Sequence, residues 1–585
     1  MKRLLAGDRL LFLFYLTGCF LFFELNYRYW YRFMEQYNLF LFRGDYFTTL
    51  LGQPGGGNEY ITAFVTQFFL LPFFAPACLA VLSGGIVCVF QLFLRRCGVQ
   101  TSIVAAIAPV FLFWLYPVES IASMVAVLFG IGAALGYSYR KKAAVRYVFG
   151  GMLLVAIYVW AAPAHLLAAA LMAVYEVSGK EGKQRFMVAA GLLLWAFVIP
   201  LLAMRTVYIV SIREAFLSRH LYHPEYPVPA SFGYIWCSFP LVALLTYIFR
   251  KKEKVFKRGW MNVAALLLLL VISMGGFIIY KQHPLEQAYR YDWYARQQQW
   301  EKIVAHAGKH PVKDKDALVY SNLAHAYTDR FSEALMRFPQ IGEEGFIPYD
   351  PKTRLGLIEA GEVAWLVNHT NAAQRFAFVG VLSAERCVQP RLMKRLIETY
   401  LVNKEYQVAG KYIRLLESTL FYSRWAKEQR PLLNPEKAGQ TGWIVQRRKL
   451  TPVTDNTSDL TKALPDALAY LIDDHPENKK AFAYGMGYLL IYKDLGPFMH
   501  YMNRLKEKGE PIPAFYQEAI CLYYSAVENN PEAFRSYAID PKVYERFQSY
   551  LSQALRLSPT LLSRQYGDTY YYYAQFVQPP KRPNR

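Results

Sequence analysis

The sequence predicts an all-α protein in which a polytopic membrane bundle of about nine spans precedes a water-soluble helical domain. Three observations predict it. Nine apolar stretches fill Leu10 to Tyr280, and a span needs about 20 apolar residues to cross about 30 Å of hydrocarbon. The connectors on one side of those stretches are basic. After Tyr280 come about 300 residues whose apolar positions recur every three or four, the spacing of one helix face.

Hydrophobic residues make up 54% of the 585 and concentrate in the first half. Residues 1–281 carry 25 Lys+Arg against 11 Asp+Glu, and the remainder 40 against 33. The net charge of +21 thus arises mainly between apolar stretches, where topology accounts for it, and nucleic-acid binding is a poor explanation. Five of the seven cysteines lie in or beside those stretches, leaving Cys387 and Cys521 beyond them. No CxxC or Cys/His spacing marks a disulfide framework or a zinc site.

The expected spans are 10–25, 75–94, 102–117, 120–138, 146–161, 163–177, 187–204, 232–249 and 261–280. The stretch 146–177, broken at Pro163, reads as one hairpin or one kinked span. One set of short connectors holds 18 bases: Lys2/Arg3/Arg9, Arg95/Arg96, Arg140 to Arg146, Lys180 to Arg185 and Arg250 to Arg258. The opposite, longer connectors hold six. Cytoplasmic loops are the basic ones, so the N-terminus is expected in the cytoplasm and everything after Lys281 outside. Lys2/Arg3 followed by an apolar run also looks like a signal peptide, and Leu16-Thr17-Gly18-Cys19 like a lipidation site. The run continues through Phe23, so a retained anchor is the better reading. Gly132 and Gly136 form a small-xxx-small pair suited to close helix packing.

Residues 26–74 form an outer loop unlike the other connectors. Asn26 to Phe42 mixes Tyr, Trp and Phe with Arg28, Arg32 and Glu35, the composition of a helix lying along a membrane surface. Arg43-Gly44-Asp45 and the run Gly52 to Glu59 follow. The glycines would let a ligand approach the backbone. This layout resembles the membrane-embedded glycosyltransferases of the GT-C type. The resemblance implies that Asp45 or Glu59 deprotonates an acceptor or holds a divalent cation. It implies further that Arg205, Arg213 and Arg219 clamp the phosphates of a polyprenyl-linked sugar donor. His220 and His223, with Glu225, would assist as acid, base or ligands.

Residues 282–577 read as successive amphipathic helices, with 430–465 as a long loop and 578–585 as a disordered tail. The piece 390–423 resembles a degenerate tetratricopeptide repeat (TPR), with Leu396 and Tyr400 on its first helix and Ala409 and Ile413 on its second. Such helix pairs stack, and their groove mostly holds protein or peptide segments. Over its whole length the chain resembles an uncharacterised bacterial family with a many-spanning membrane half and TPR-like helices. The likeness rests on Tyr291-Asp292 to Trp300, Asn322-Leu323-Ala324 with Phe338-Pro339-Gln340, and Tyr516-Gln517-Glu518-Ala519.

Two functional readings follow. The first is a protein of the cytoplasmic membrane that presents a helical interaction domain on the outer side, with the bilayer and a protein or peptide as its partners and no cofactor. The second is a GT-C-like transferase with a polyprenyl-linked glycan as partner. Span interiors nearly free of charge argue against an ion-coupled carrier.

Overall fold

The computed structural model describes residues 6–37, 39–99, 103–115, 121–179, 184–217, 231–249, 271, 284–312, 314–349, 351–383, 389–452, 460–530 and 532–582. Every regular element among them is helical, with no strand. The chain divides into two compact units, Met1–Gln282 with Ser418–Phe421, and His283–Glu417 with Tyr422–Arg585.

In the first unit, helices α1 (Ala6–Met34), α2 (Gly44–Leu51), α3 (Gly56–Thr66), α4 (Phe74–Arg96), α5 (Ile103–Leu115) and α6 (Ile121–Ser138) come first. Helices α7 (Ala143–Ala161), α8 (Ala164–Ser178), α9 (Gln184–Thr206), α10 (Ile212–Leu217) and α11 (Ser231–Ile248) follow. Among the described residues, five segments are long and apolar enough to cross a membrane, not the expected nine: Arg9–Tyr37, Phe74–Arg96, Ile121–Ser138, Ala143–Ala161 and Gln184–Thr206. The shortfall has a geometric cause. The apolar helices Ile103–Trp114, Ala164–Ser178 and Gly233–Ile248 have 10–17 residues, and at 1.5 Å per residue they rise only about 15–26 Å. The expected span 261–280 lies outside the described residues except for Val271.

Helix α1 runs past the expected end of its span, bending where Tyr27 leaves helical geometry (φ −134°, ψ 19°). The aromatic segment after Asn26 is therefore a second helical piece, joined to the first across the kink at Tyr27 and running as far as Met34. The 146–177 alternative resolves as a hairpin, because Arg146 in the first turn of α7 pairs with Glu176 at the end of α8. Its Nε and Nη2 donate to the two carboxylate oxygens at 2.7 and 3.1 Å, and the Tyr137 hydroxyl donates to Glu176 at 2.8 Å. A buried charge is tolerable only when paired and hydrogen-bonded in this way.

Small residues set the helix spacing, but not at the expected pair. A Cβ on Gly132 or Gly136 would meet nothing, whereas one on Gly130 would lie 3.0 Å from the Ala164 carbonyl and one on Gly150 2.6 Å from the Tyr137 ring. Helix α6 is central, while α7 and α9 turn much of their surface outward. On α7 the exposed residues Val145, Val148, Met152, Val155 and Val159 follow each other at three- and four-residue steps, an apolar stripe along one face.

The second unit is built of helices that pack on their sequence neighbours, including Arg354–Leu366, Thr370–Ser383, Pro390–Val402 and Tyr406–Glu417. Leu396, Tyr400, Ala409 and Ile413 are all buried. The expected loop 430–465 is largely ordered helix instead, with Pro435–Gln440 and Gly442–Leu450. The Asn434 side chain accepts the amides of Glu436 and Lys437, a cap that starts the first of these helices on Pro435. Arg448 donates to the carbonyls of Leu401 and Val402 at 2.8 and 2.9 Å, closing the end of another helix. The tail differs too: Arg582 pairs with Asp494 and lies 5.2 Å over Tyr492.

Candidate functional site

The sequence-predicted site lies in the α2–α3 hairpin. Phe40 is its apolar centre, with ring centroids 4.9 Å from Tyr60 and 5.2 Å from Phe64. Tyr46 and Tyr60, the residues after Asp45 and Glu59, are 6.2 Å apart, so the two acids sit on packed neighbouring helices. The glycine run is what brings α3 against α7. Gly55 takes the left-handed conformation (φ 77°) ahead of α3, a region glycine enters without penalty. A Cβ on Gly56 would overlap the Leu50 carbonyl, and one on Gly57 the Trp160 ring. The Gly55 amide donates to the carbonyls of Tyr158 and Val159 at 3.2 and 3.1 Å. These glycines serve helix packing, and the Gly55 amide is not free for a phosphate.

Asp45 is exposed and bound to Arg43, with Nε to Oδ1 at 3.0 Å and Nη2 to Oδ2 at 2.6 Å. The Arg43 hydrogen bond, helped by its charge and the Tyr46 amide, holds the Asp45 carboxyl below its ordinary value. A carboxylate so stabilised is a weak base. Glu59 is half-buried in the first turn of α3. Arg205, in the last turn of α9, and Arg213, on α10, are exposed. Arg219, His220 and His223 lie outside the described residues. Among the described residues, no group of three or more His, Cys, Asp or Glu is placed to hold a metal ion.

Sequence reasoning missed a second place in the same unit. At the tip of the α7–α8 hairpin, Tyr158 meets His165 edge-on with ring centroids 4.9 Å apart, and Tyr208 lies 6.3 Å from Tyr158. All three are buried, His165 completely. The Tyr158 hydroxyl and both His165 ring nitrogens make no hydrogen bond. Asn58 Oδ1 and Thr62 Oγ1, one turn apart on α3, are likewise buried and unpaired. An ionisable residue inside an apolar run, here His165 two places after Pro163, is the signal that marks it.

In the second unit the buried chemistry is ionic. Asp292 accepts from the Tyr320 hydroxyl at 2.6 Å and pairs with Arg391. Arg391 reaches Glu362 at 3.4 Å, and Arg395 bridges Glu362 (2.9 Å) and Glu398 (2.7 Å). Burial raises the Glu362 carboxyl, but Arg395 and Arg391 outweigh it and hold the group below its ordinary value. Trp365 carries Arg395 at 4.2 Å and Arg447 at 3.7 Å from its ring centroid. The other two segments that carry the family likeness are held by hydrogen bonds. Asn322 donates to the Gly345 carbonyl at 2.9 Å and to Gln340 at 3.3 Å. Glu518 accepts the Tyr570 amide at 2.8 Å, and Gln517 the Asp540 amide at 2.7 Å.

No curated protein and no solved structure matches the chain. A full-length family likeness does exist, and it spans both units: the chain belongs to the family of unknown function DUF6057, whose sequence profile matches residues 3–577.

Proposed function

We propose that this protein resides in the cytoplasmic membrane with its N-terminus in the cytoplasm, and presents the helices after His283 on the outer face to hold a protein or peptide partner. The observation that carries this reading is where the basic connectors meet. Arg96, at the end of α4, donates to the Ser138 carbonyl at the end of α6. Arg146 joins the start of α7 to the end of α8, and Arg185, at the start of α9, donates to the Gly179 carbonyl at 2.8 Å. Five helix ends thus share one side with the clusters at Arg95/Arg96, Arg140 to Arg146 and Arg185, and a side rich in bases is the cytoplasmic one. The apolar stripe of α7 supports the same reading, since such a face is matched by lipid and not by water. In the second unit, helices packed on their sequence neighbours support a TPR-like stack. Cytosol-only fluorescent and periplasm-only phosphatase reporters fused after Arg582 test the topology. Phosphatase activity without fluorescence is expected, and bright cells would overturn it.

A second reading, the GT-C-like transferase, draws on the placement of Asp45 and Glu59 on packed helices beside the α7–α8 tip. Its test is Asp45→Asn and Glu59→Gln with surface glycans scored by mass spectrometry. Unchanged glycans in both variants would remove it.

A further inference from the structure

We propose that the tip of the α7–α8 hairpin binds an uncharged polyol, through the Tyr158 hydroxyl and the His165 imidazole, beneath the Gly55–Gly57 loop. The inference stands apart from both readings above and does not depend on which face of the membrane the tip approaches.

The argument begins with cost. A buried polar group left without a partner forfeits about 1–3 kcal/mol, so native interiors hold few of them. Here the Tyr158 hydroxyl and two His165 nitrogens are orphaned within one ring-to-ring contact of 4.9 Å. The Ala196 backbone of α9 faces the imidazole without completing a hydrogen bond. Leu or Phe at these positions would fill space without that loss. Polar atoms concentrated at one spot point to a ligand that supplies the missing bonds.

The surroundings define its chemistry. Among the described residues, no ion pair or hydrogen bond brings a charged side chain to Tyr158 or His165. The nearest buried ion pair on this hairpin, Arg146–Glu176, closes its opposite end. A charged ligand would therefore sit unneutralised in an apolar interior. A neutral imidazole offers one donor and one acceptor, and a phenol offers both in one atom. Hydroxyl groups, which also donate and accept, are the neutral complement, and two adjacent hydroxyls would serve both residues at once. Tyr158 and Tyr208 supply ring surfaces for the C–H faces of such a molecule. The tip is also set back from the end of the bundle. Ala164 lies against Gly130, well inside α6, whereas Asn58 of α3 donates to Ala122 at the start of α6 at 2.9 Å. Helix α3 thus lies between the hairpin tip and that end of the bundle.

The polyol could be free or the headgroup of a lipid, and one experiment separates these sources. The full chain in phosphatidylethanolamine nanodiscs is photolabelled with an alkyl β-D-glucoside carrying a diazirine on its sugar, and adducts are mapped by mass spectrometry. Labels on peptides containing Tyr158, His165 or Tyr208 are expected, with at least a tenfold loss in Tyr158→Phe/His165→Phe. Competition by millimolar methyl β-D-glucoside identifies a free polyol, and competition by glucosyl-diacylglycerol alone identifies a lipid headgroup. Adducts that neither competitor reduces, or that the double variant retains, overturn the proposal. If the double variant is not monodisperse, the single Tyr158→Phe variant carries the same comparison.

Discussion

Glu518 gives the sharpest quantitative prediction. It lies on the helix Ala514–Leu522 and accepts the Tyr570 amide that begins the last helix, Tyr570–Phe576. Burial pushes its carboxyl from 4.5 to about 7, against the weaker pull of the Tyr570 amide and of Arg546. The sign follows from proton binding. Below about pH 4.5 both folded and unfolded chains hold the proton, and the contribution to stability is complete. Between about 4.5 and about 7 only the folded chain holds it, so stability falls as pH rises, and above about 7 the loss is complete. At 1.36 kcal/mol per pH unit the full loss is about 3 kcal/mol. Glu518→Gln keeps an acceptor for Tyr570 and removes the charge. Hydrogen exchange by mass spectrometry on the full chain in nanodiscs reads the local effect in Tyr570–Phe576, at matched pH for both proteins. The variant is expected to be better protected by up to about 300-fold at pH 8, and by only about fourfold at pH 5. Equal protection at pH 8 would refute the reasoning. Greater protection of the wild-type protein there would show that the helix N-terminus outweighs desolvation.

Three further outcomes are expected. Arg391→Met strips Asp292 of its cation and leaves Glu362 with Arg395, and removing one partner of a buried pair costs about 3–5 kcal/mol; the denaturation midpoint of the full chain should drop sharply, with partial recovery in Arg391→Met/Asp292→Asn. Gly57→Ala should destabilise the first unit because its Cβ overlaps Trp160, and Gly57→Ala/Trp160→Ala should recover part of the loss in a thermal melt of the detergent-solubilised protein. Asp45→Asn removes only an exposed ion pair with Arg43, which water and salt screen, so its melting temperature should stay within about 3 °C of the wild type.

The all-α class was legible in the sequence because it depends on summed properties. Apolar runs and helical periodicity are averages over many residues, and they mark apolar helices in the first half and amphipathic helices in the second without any single contact. What the averages miss is length set by packing. Residues 163–177 read as a span, yet Pro163 and the small residues Ala164 and Gly130 let α8 begin inside the bundle. The loop reading of 430–465 failed for a related reason. Pro, Asn, Gly and Thr suggest a turn-rich segment, but Asn434 caps a helix there, and Arg447 and Arg448 are spent on Trp365, Asn368 and the ends of neighbouring helices.

The same contrast separates the polar residues that stand out in the sequence from those that the fold buries. Acids and arginines in a connector attract notice because they are conspicuous, and Asp45 and Arg43 are conspicuous because water solvates them. Solvation is also what makes them cheap to place and uninformative. Glu176, Asp292, Arg391 and His165 sit where a charged or polar atom must find a partner or be penalised, and each lies within a helix where the sequence marks no site. Three of the four are fully engaged, which ties α7 to α8 in one unit and joins three helices in the other. Of these four, His165 alone makes no hydrogen bond among the described residues. An imidazole in that state is where a ligand from outside the chain would complete the structure.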